Sequence, residues 1–272
     1  MSNRYDILFQ QLNKKHEHAF VPFVTLCDPD FDLSLKIVRT LIENGADALE
    51  LGLPFSDPVA DGLVIQQASI RALNSGAKIQ DCFTLIKKIR EEYPTIPIGL
   101  LVYSNLVVCN SIEHFYSQAK QAGVDSVLIA DVPFLESKPF SEMAKRVGIQ
   151  PIFLAPPNAS KQLLKSIAKE AEGYIYLLSR AGVTGTDVSV EMPLSNVLKQ
   201  LAEYNAPPSL LGFGISNPNQ VQKAIKSDIG GVISGSAVVS IIAKHLDNEE
   251  LDESRLLQEL GSFIEKMKQA TC

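Results

Sequence analysis

The fold of this chain is constrained most by a regular alternation of short apolar runs with amphipathic stretches. Eight runs have the length and composition of β-strands, and the intervals between them carry apolar residues at helical spacing. The predicted strands span residues 19–26, 48–51, 98–103, 127–130, 151–154, 174–178, 210–213 and 231–234. Short strands that are apolar throughout are typical of a parallel sheet that is covered on both faces. Eight of them favour a closed (β/α)8 barrel over an open doubly wound sheet.

The length of the chain fits one such barrel. The sequence has 272 residues, and a barrel of this type takes roughly 250 residues. No linker, low-complexity tract or change of composition divides it. We therefore expect a single (β/α)8 TIM-barrel domain over residues 1–272, with an extra N-terminal helix over 4–14 that covers the bottom of the barrel. The active site would lie at the C-terminal ends of the strands.

The overall charge argues against two classes of partner. The formal net charge is −6, and no run rich in Lys and Arg is present. Nucleic acid and anionic membranes are therefore not expected to bind. The longest uncharged run, 229–243, is short for a membrane span and is interrupted by Gly and Ser. A small anionic substrate stays possible, because backbone N–H groups can bind phosphate without a net positive charge.

The cysteines and histidines predict neither disulfides nor a metal site. The four cysteines form no CxxC pair, which favours free thiols in a reducing cytoplasm. The histidines do not cluster with cysteines, and the pair that flanks Glu17 is more typical of a solvated turn than of a metal site. The N-terminus begins with polar residues, so no signal peptide is expected. Together these observations predict a cytoplasmic protein.

Acidic residues follow the second predicted strand at the expected catalytic end. In residues 49–62 the leucines alternate with Glu50, so Glu50 would face the enclosed side of the barrel while the leucines face the helices. A carboxylate there is costly unless it is paired or protonated, so a buried ion pair is one alternative for Glu50. Asp57 and Asp61 lie in the loop that follows. For Asp61 the local pattern favours a helix N-cap, since Gly62 and a helix come next.

Glycine-bearing turns follow the last three predicted strands. They are 182–185, 212–214 and 235–236. Glycine lets the backbone approach an anion, and barrels commonly bind phosphate at their last loops. Any one of these glycines could simply form a tight turn, but the three together favour phosphate binding. Residues 179–193 have no apolar periodicity and are a candidate lid. A dinucleotide fingerprint is not supported, since the third glycine is absent at Asn217.

The run from Leu49 to Gly62 resembles the signature of the tryptophan synthase alpha subunit family, Leu-Glu-Leu-Gly-x-Pro-Phe-Ser-Asp-Pro-x-Ala-Asp-Gly. The resemblance extends over nearly the whole chain and includes residues 22–25, 125–133, 176–180, 182–185, 212–216 and 233–237. Two departures are visible. Cys27 stands where the family usually has Gly before Asp-Pro, and Leu63-Val64 stands where it usually has Pro-Thr.

The resemblance implies both a fold and a reaction. Members of the family are (β/α)8 barrels that cleave indole-3-glycerol phosphate to indole and glyceraldehyde 3-phosphate without a cofactor of their own. They form an α2β2 tetramer with a beta subunit, which uses pyridoxal phosphate to join indole to serine. Partner contacts are expected by resemblance in the loops at 53–61, 104–108 and 131–135.

The resemblance also assigns roles to two acids. Glu50 would perform the acid–base steps on the carbon and on the side-chain hydroxyl. Asp61 would accept the indole N–H and stabilise the positive charge that develops there. A carboxyl group can carry out each proton transfer if its pKa lies near the working pH.

The remaining predicted site residues would bind substrate. Tyr176 is expected in the pocket, where it could form a hydrogen bond near Glu50, and Thr184 could close the lid onto Asp61. The apolar slot for indole would be formed by Phe23, Leu101, Ala130, Leu154, Phe213 and Ile233. The phosphate end would be formed by Gly185, Gly214, Gly235 and Ser236. Taken singly, the apolar residues and Tyr176 could equally be barrel core.

Three other functions stay open on the sequence. A phosphosugar isomerase on the same barrel would use the phosphate loops but would not need an apolar slot or both acids. A non-catalytic subunit could activate a beta subunit, and a stand-alone lyase could release indole. Without an evident catalytic lysine, a Schiff-base aldolase is not favoured.

Overall fold

The structure is a computed structural model that describes residues 3–179, 194–246 and 251–272. Within these residues, eight parallel strands form a closed barrel in which each strand pairs with the next and β8 pairs with β1. The strands are β1 (Ala19–Thr25), β2 (Leu49–Gly52), β3 (Ile98–Val102), β4 (Ser126–Ile129), β5 (Gln150–Ala155), β6 (Ile175–Leu178), β7 (Ser209–Gly212) and β8 (Gly231–Ser234). The predicted (β/α)8 barrel is therefore confirmed.

Helices surround the barrel and connect its strands. In the described residues they are α1 (Arg4–Lys15), α2 (Phe31–Glu43), α3 (Leu63–Asn74), α4 (Ile79–Glu92), α5 (Ser104–Val108), α6 (Ile112–Ala122), α7 (Lys138–Val147), α8 (Lys161–Glu170), α9 (Leu194–Glu203), α10 (Pro218–Ala224), α11 (Ser236–Leu246) and α12 (Glu253–Gln269). A 3-10 turn spans Phe134–Glu136. The apolar periodicity did not predict α5 or this turn, because neither is long enough to repeat a helical pattern.

Several helices begin where a polar side chain satisfies a free backbone N–H group. Asn3 accepts a hydrogen bond from the N–H of Asp6 at the start of α1, at 2.8 Å. Asp30 accepts one from the N–H of Leu33 in α2, at 2.9 Å. Such N-caps stabilise a helix by about 1 kcal/mol each. They fix the points at which the chain turns from a strand end into a helix.

Each strand alternates between the barrel interior and the surrounding helices. In β1, Ala19 and Val21 pack in the interior cluster, whereas Phe20 and Val24 pack in the outer cluster with the helices. In β2 the two leucines also belong to the outer cluster. This places Glu50, between them, on the interior side, as the alternation predicted.

The helix α1 covers the bottom of the barrel, at the N-terminal ends of the strands. Tyr5 enters the interior, where its hydroxyl lies 3.0 Å from Ser126 Oγ, and its ring contacts that of Tyr174. The last residues of the chain reach the same end, since the N–H of His18 donates to the carbonyl of Thr271 at 3.0 Å. The predicted position of the N-terminal helix is therefore confirmed.

Among the described residues, no helix is both long enough and apolar enough to cross a membrane.

Candidate active site

A cavity opens at the C-terminal end of the barrel, where a barrel enzyme binds its substrate. Its volume is about 740 Å³ when its opening to solvent is included. Both acids and ten of the twelve predicted substrate-binding residues line it. These residues are Phe23, Glu50, Asp61, Leu101, Ala130, Leu154, Tyr176, Phe213, Gly214, Ile233, Gly235 and Ser236. Thr184 and Gly185 lie outside the described residues, as do positions 180–193 of the candidate lid.

Glu50 is buried at the base of this cavity. It is only 2 % exposed, and it pairs in register with Phe23 of β1 and Gly99 of β3. The hydroxyl of Tyr174 donates a hydrogen bond to Glu50 Oε1 at 3.1 Å. Burial raises the pKa of Glu50 to about 8. The Tyr174 hydrogen bond opposes this rise, and the nearby Asp61 adds to it.

The ion-pair alternative for Glu50 does not hold in the described part of the chain. No cation there contributes to the pKa of this carboxyl group, and its hydrogen-bond partner is a neutral hydroxyl. A buried carboxyl group without a cation is protonated at neutral pH when its pKa lies near 8. Glu50 can therefore both donate and accept a proton in the working range of pH.

The hydrogen bond that we predicted near Glu50 for Tyr176 is made by Tyr174 instead. Both side chains face the interior, but Tyr174 lies deeper because it comes before β6 begins. The ring of Tyr176 lies against β7, where a Cβ at Gly212 would come within 2.3 Å of it. It also meets the ring of Phe213 edge-on, at 6.2 Å between centroids. Tyr176 therefore forms a wall of the cavity.

Asp61 lies across the cavity, at the end of the loop that follows β2. It is 8 % exposed. The hydroxyl of Tyr103 donates to its carboxylate and accepts a hydrogen bond from the N–H of Ala60 at 3.1 Å. Burial raises the pKa of Asp61 to about 6, and the Tyr103 hydrogen bond limits the rise. At neutral pH this carboxyl group is mostly ionised.

The N-cap alternative for Asp61 does not describe its side chain. The helix α3 begins at Leu63, and Gly62 is its cap residue, with the extended backbone of a cap position. The carboxyl group of Asp61 points to Tyr103 instead. Leu63, where the family usually has Pro, is the first helical residue and is exposed, so this departure leaves the start of the helix in place.

Tyr103 is a site residue that sequence reasoning missed. It follows the last residue of β3, and its ring stacks on that of Phe55 at 5.3 Å between centroids. It thus joins two loops at the mouth of the barrel. Its position directly after a barrel strand is the signal that could have identified it, because side chains there face the active site.

Backbone turns form the opposite side of the cavity. Phe213 and Gly214 have φ angles of 67° and 84°, so the chain turns sharply after β7. The hydroxyls of Ser179 and Ser234 hold this turn by donating to the carbonyls of Phe213 and Ile215, each at 2.7 Å. Ser236 begins α11, whose N-terminus directs N–H groups toward the same region. These features suit an anion such as phosphate.

A sequence model described as tryptophan synthase alpha chain matches residues 9–271. The chain belongs to the tryptophan synthase alpha chain family. A tryptophan synthase alpha chain from Francisella tularensis strain FSC 198 is 56% identical over 271 residues, which cover 100% of this chain and 99% of that protein. One from Shewanella baltica strain OS155 is 57% identical over 270 residues, covering 99% of this chain and 97% of the other.

A solved structure supports the same assignment. It is a chain from the tryptophan synthase α2β2 complex of Pyrococcus furiosus, which is 32% identical and has a TM-score of 0.81. The match covers 92% of this chain and 98% of that one. As a tryptophan synthase alpha chain, the protein is a lyase that catalyses the cleavage of indole-3-glycerol phosphate, one half of the tryptophan synthase reaction.

Proposed function

We propose that this alpha chain cleaves indole-3-glycerol phosphate by a retro-aldol reaction in which Glu50 and Asp61 divide the acid–base work. One observation carries the proposal. Two buried carboxyl groups face one apolar cavity, and their pKa values, about 8 and about 6, lie on either side of neutral pH. Pairs of titratable groups whose environments separate their pKa values are typical of acid–base sites.

The proton transfers balance with these two groups alone. Protonated Glu50 delivers a proton to C3 of the indole ring, and Asp61, ionised, accepts a hydrogen bond from the ring N–H, which becomes more acidic as positive charge develops. The carboxylate of Glu50 then removes the proton of the side-chain hydroxyl. The bond between C3 and the side chain breaks, its electrons restore the aromatic ring, and the hydroxyl carbon becomes the aldehyde. Glu50 ends protonated, as it began.

The shape of the cavity fits the two ends of this substrate. Apolar side chains such as Leu101, Leu154 and Ile233 provide a slot for a flat aromatic ring, while the turns at Gly214 and Gly235 lie on the phosphate side. Burying an aromatic ring in such a slot supplies binding energy, and the oriented backbone N–H groups supply specificity for the anion. A phosphosugar isomerase would have no use for the apolar slot.

We also propose that the chain works with a beta subunit in the cytoplasm. The relative from Pyrococcus furiosus is part of an α2β2 complex with mutual activation. In this chain, exposed apolar side chains lie around the mouth of the barrel at Val59, Leu63, Val108 and Leu135. Apolar residues exposed in this way are consistent with a protein interface. No cofactor is needed on the alpha chain, and pyridoxal phosphate would be held by the partner.

The proposal is tested by measuring indole release from indole-3-glycerol phosphate, with and without a tryptophan synthase beta subunit. We expect slow release by the chain alone and a strong rise when the partner is added. Glu50→Gln and Asp61→Asn should each abolish most of the activity, whereas Glu265→Gln, on an exposed face of α12, should not. Fast release without a partner would instead indicate a stand-alone lyase. If the folded chain releases no indole in either condition, the catalytic proposal is wrong.

A further inference from the structure

Two buried thiols lie in contact at the side of the barrel mouth, outside the catalytic cavity. Cys27 follows the end of β1 and Cys82 lies in α4, 55 positions further along the chain. Both are completely buried, and their sulfur atoms are 3.8 Å apart. The other two cysteines, Cys109 and Cys272, are exposed and lie elsewhere. The pair is therefore distinct from the rest of the thiols in chemistry and in position.

The surrounding structure holds Cys27 firmly in this position. Its backbone has a φ of 60°, in the left-handed region that disfavours residues with a Cβ. Its N–H donates to Ser34 Oγ at 2.9 Å. The next residue, Asp28, accepts two hydrogen bonds from the guanidinium of Arg71, each at 2.7 Å. The strained conformation persists because these contacts fix the chain on both sides of Cys27.

Cys27 is placed to react first, because it borders a surface cavity that Cys82 does not line. The contact with the Cys82 thiol also lowers the pKa of Cys27, although burial opposes the shift. The reactive form of cysteine is the thiolate, so a lowered pKa makes Cys27 a better nucleophile. The sulfur of Cys82 is already in position to attack the oxidised sulfur of Cys27.

A surface cavity borders Cys27 and carries a charge that favours one kind of reagent. Asp30, Asp32 and Asp81 are among the residues that line it. Their negative charge repels anions, which includes most peptide disulfides found in cells. A small neutral oxidant is not repelled.

We propose that Cys27 and Cys82 form an oxidation site that takes a neutral peroxide and closes to a disulfide. The sulfur of Cys27 attacks the O–O bond of hydrogen peroxide, which leaves a sulfenic acid on Cys27 and releases one water molecule. The sulfur of Cys82 then attacks the sulfenic sulfur and releases a second water molecule. Two thiols are oxidised and one peroxide is reduced. The sulfur atoms must approach by roughly 1.8 Å, from 3.8 Å to the bond length of about 2.05 Å.

The cross-link would act close to the catalytic loop without altering a residue that lines the cavity. It would join the loop after β1 to α4, and the Asp28–Arg71 ion pair connects that loop to α3. The helix α3 begins directly after Asp61 and Gly62. Oxidation would therefore restrict the loop after β1. This loop is linked to the region of Asp61 through the Asp28–Arg71 ion pair and the helix α3. The bond itself forms whether or not the proposed function is correct.

The test uses the full chain with Cys109→Ser and Cys272→Ser, so that only the buried pair can react. We expect hydrogen peroxide to remove two hydrogen atoms from the intact mass and to join the peptides that contain Cys27 and Cys82, reversibly on reduction with dithiothreitol. The Tm should rise in the cross-linked form, because the bond restricts the unfolded chain over 55 positions. Glutathione disulfide, as the anionic reagent, should give at least tenfold slower cross-linking at the same concentration.

The matched control is Cys27→Gly in the same background. Glycine suits a φ of 60°, so this variant should fold at least as well, yet it should form no cross-link and leave Cys82 as a thiol. Two outcomes would overturn the proposal. One is that both buried cysteines stay reduced at a peroxide dose that oxidises Cys109 and Cys272 in the unaltered chain. The other is oxidation of Cys27 to sulfinic acid with no bond to Cys82.

Discussion

The two ends of the barrel differ in the partners of their largely buried carboxyl groups. At the bottom, Asp125 accepts hydrogen bonds from Arg4 and Arg90, at 2.6 and 2.7 Å, and from the N–H of Ile98. In the cavity that opens at the other end, Glu50 and Asp61 accept hydrogen bonds from tyrosine hydroxyls, and no cation in the described residues pairs with either. The paired acid stabilises the fold, whereas the unpaired acids keep pKa values suited to proton transfer. The same type of side chain thus serves structure at one end and chemistry at the other.

The largest effect that this contrast predicts is the loss of activity in Glu50→Gln. We expect kcat to fall by about 10³-fold or more, because the amide can neither deliver nor accept the proton. The measurement is indole release by the complex with a beta subunit. Normal activity in this variant would end the assignment of Glu50 as the acid–base residue.

The same variant should be at least as stable as the unaltered chain. The pKa of Glu50 is about 8 when folded and near 4.5 when unfolded, so the folded chain binds the extra proton between these values. The stability that this bound proton contributes is therefore fully present below about pH 4.5 and is lost as the pH rises toward 8. Because glutamine does not titrate, the Glu50→Gln variant should not lose stability in this way as the pH rises. Urea unfolding at pH 5 and pH 8 should show that the advantage of the variant grows with pH.

The reverse pattern is expected for Asp125→Asn at the bottom of the barrel. The substitution leaves Arg4 and Arg90 without their carboxylate, so the free energy of unfolding should fall by about 3 kcal/mol. The kcat of the folded fraction should not change. Glu253→Gln serves as the control, because its ion pair with Lys36 is exposed and should contribute almost nothing. A strong loss of kcat with unchanged stability would contradict the division between the two ends.

The pH dependence of kcat/KM should report both unpaired acids. Asp61 must be ionised and Glu50 protonated, so the profile should be bell-shaped, with limbs near pH 6 and pH 8. Each limb should change activity about tenfold per pH unit. Asp61→Asn should remove the acidic limb from the residual activity. A profile that stays flat from pH 5 to pH 9 would show that neither group titrates in the reaction.

The smallest predicted effect concerns Tyr103, which holds Asp61 in place. Tyr103→Phe removes the hydroxyl that stabilises the ionised carboxylate, so we expect the acidic limb to move up by about one pH unit. The value of kcat/KM should fall by about twofold at pH 7, where half of the Asp61 carboxyl groups would then be protonated, and by about tenfold at pH 5. The variant Tyr93→Phe, whose hydroxyl bonds the exposed Glu43, is a control that should leave the profile unchanged. A fall in kcat/KM without movement of the limb would mean that Tyr103 serves packing alone.

Local patterns predicted the parts of this structure that depend on local geometry. The alternation around Glu50 placed it inside the barrel, because successive residues of a strand point to opposite faces. It could not distinguish Tyr174 from Tyr176, since both face inward and only their depth decides which reaches Glu50. The contacts of Tyr103 with Asp61, and of Arg4 with Asp125, join residues distant in the chain. Such contacts depend on how loops and helices pack, which no short pattern encodes.

The resemblance supplied what local patterns could not. On local pattern a helix cap was favoured for Asp61, and each apolar residue taken singly could equally have been barrel core. The structure brings ten of the predicted substrate-binding residues around one cavity, of which Gly214, Gly235 and Ser236 were also predicted from the glycine-bearing turns. Their roles toward substrate stay predictions, as do those of Thr184 and Gly185.

The position of the two described ends of the chain has a practical consequence. The cap residue Asn3 begins the helix that covers the bottom, and Thr271 bonds His18 just before β1 at that same end. A label, an affinity tag or a surface attachment at either end would thus leave the mouth facing away from it. The protein could be immobilised through one end and still meet a soluble partner. Joining the two ends with a short peptide would also allow the chain to be opened elsewhere, in an exposed loop, with the barrel kept whole.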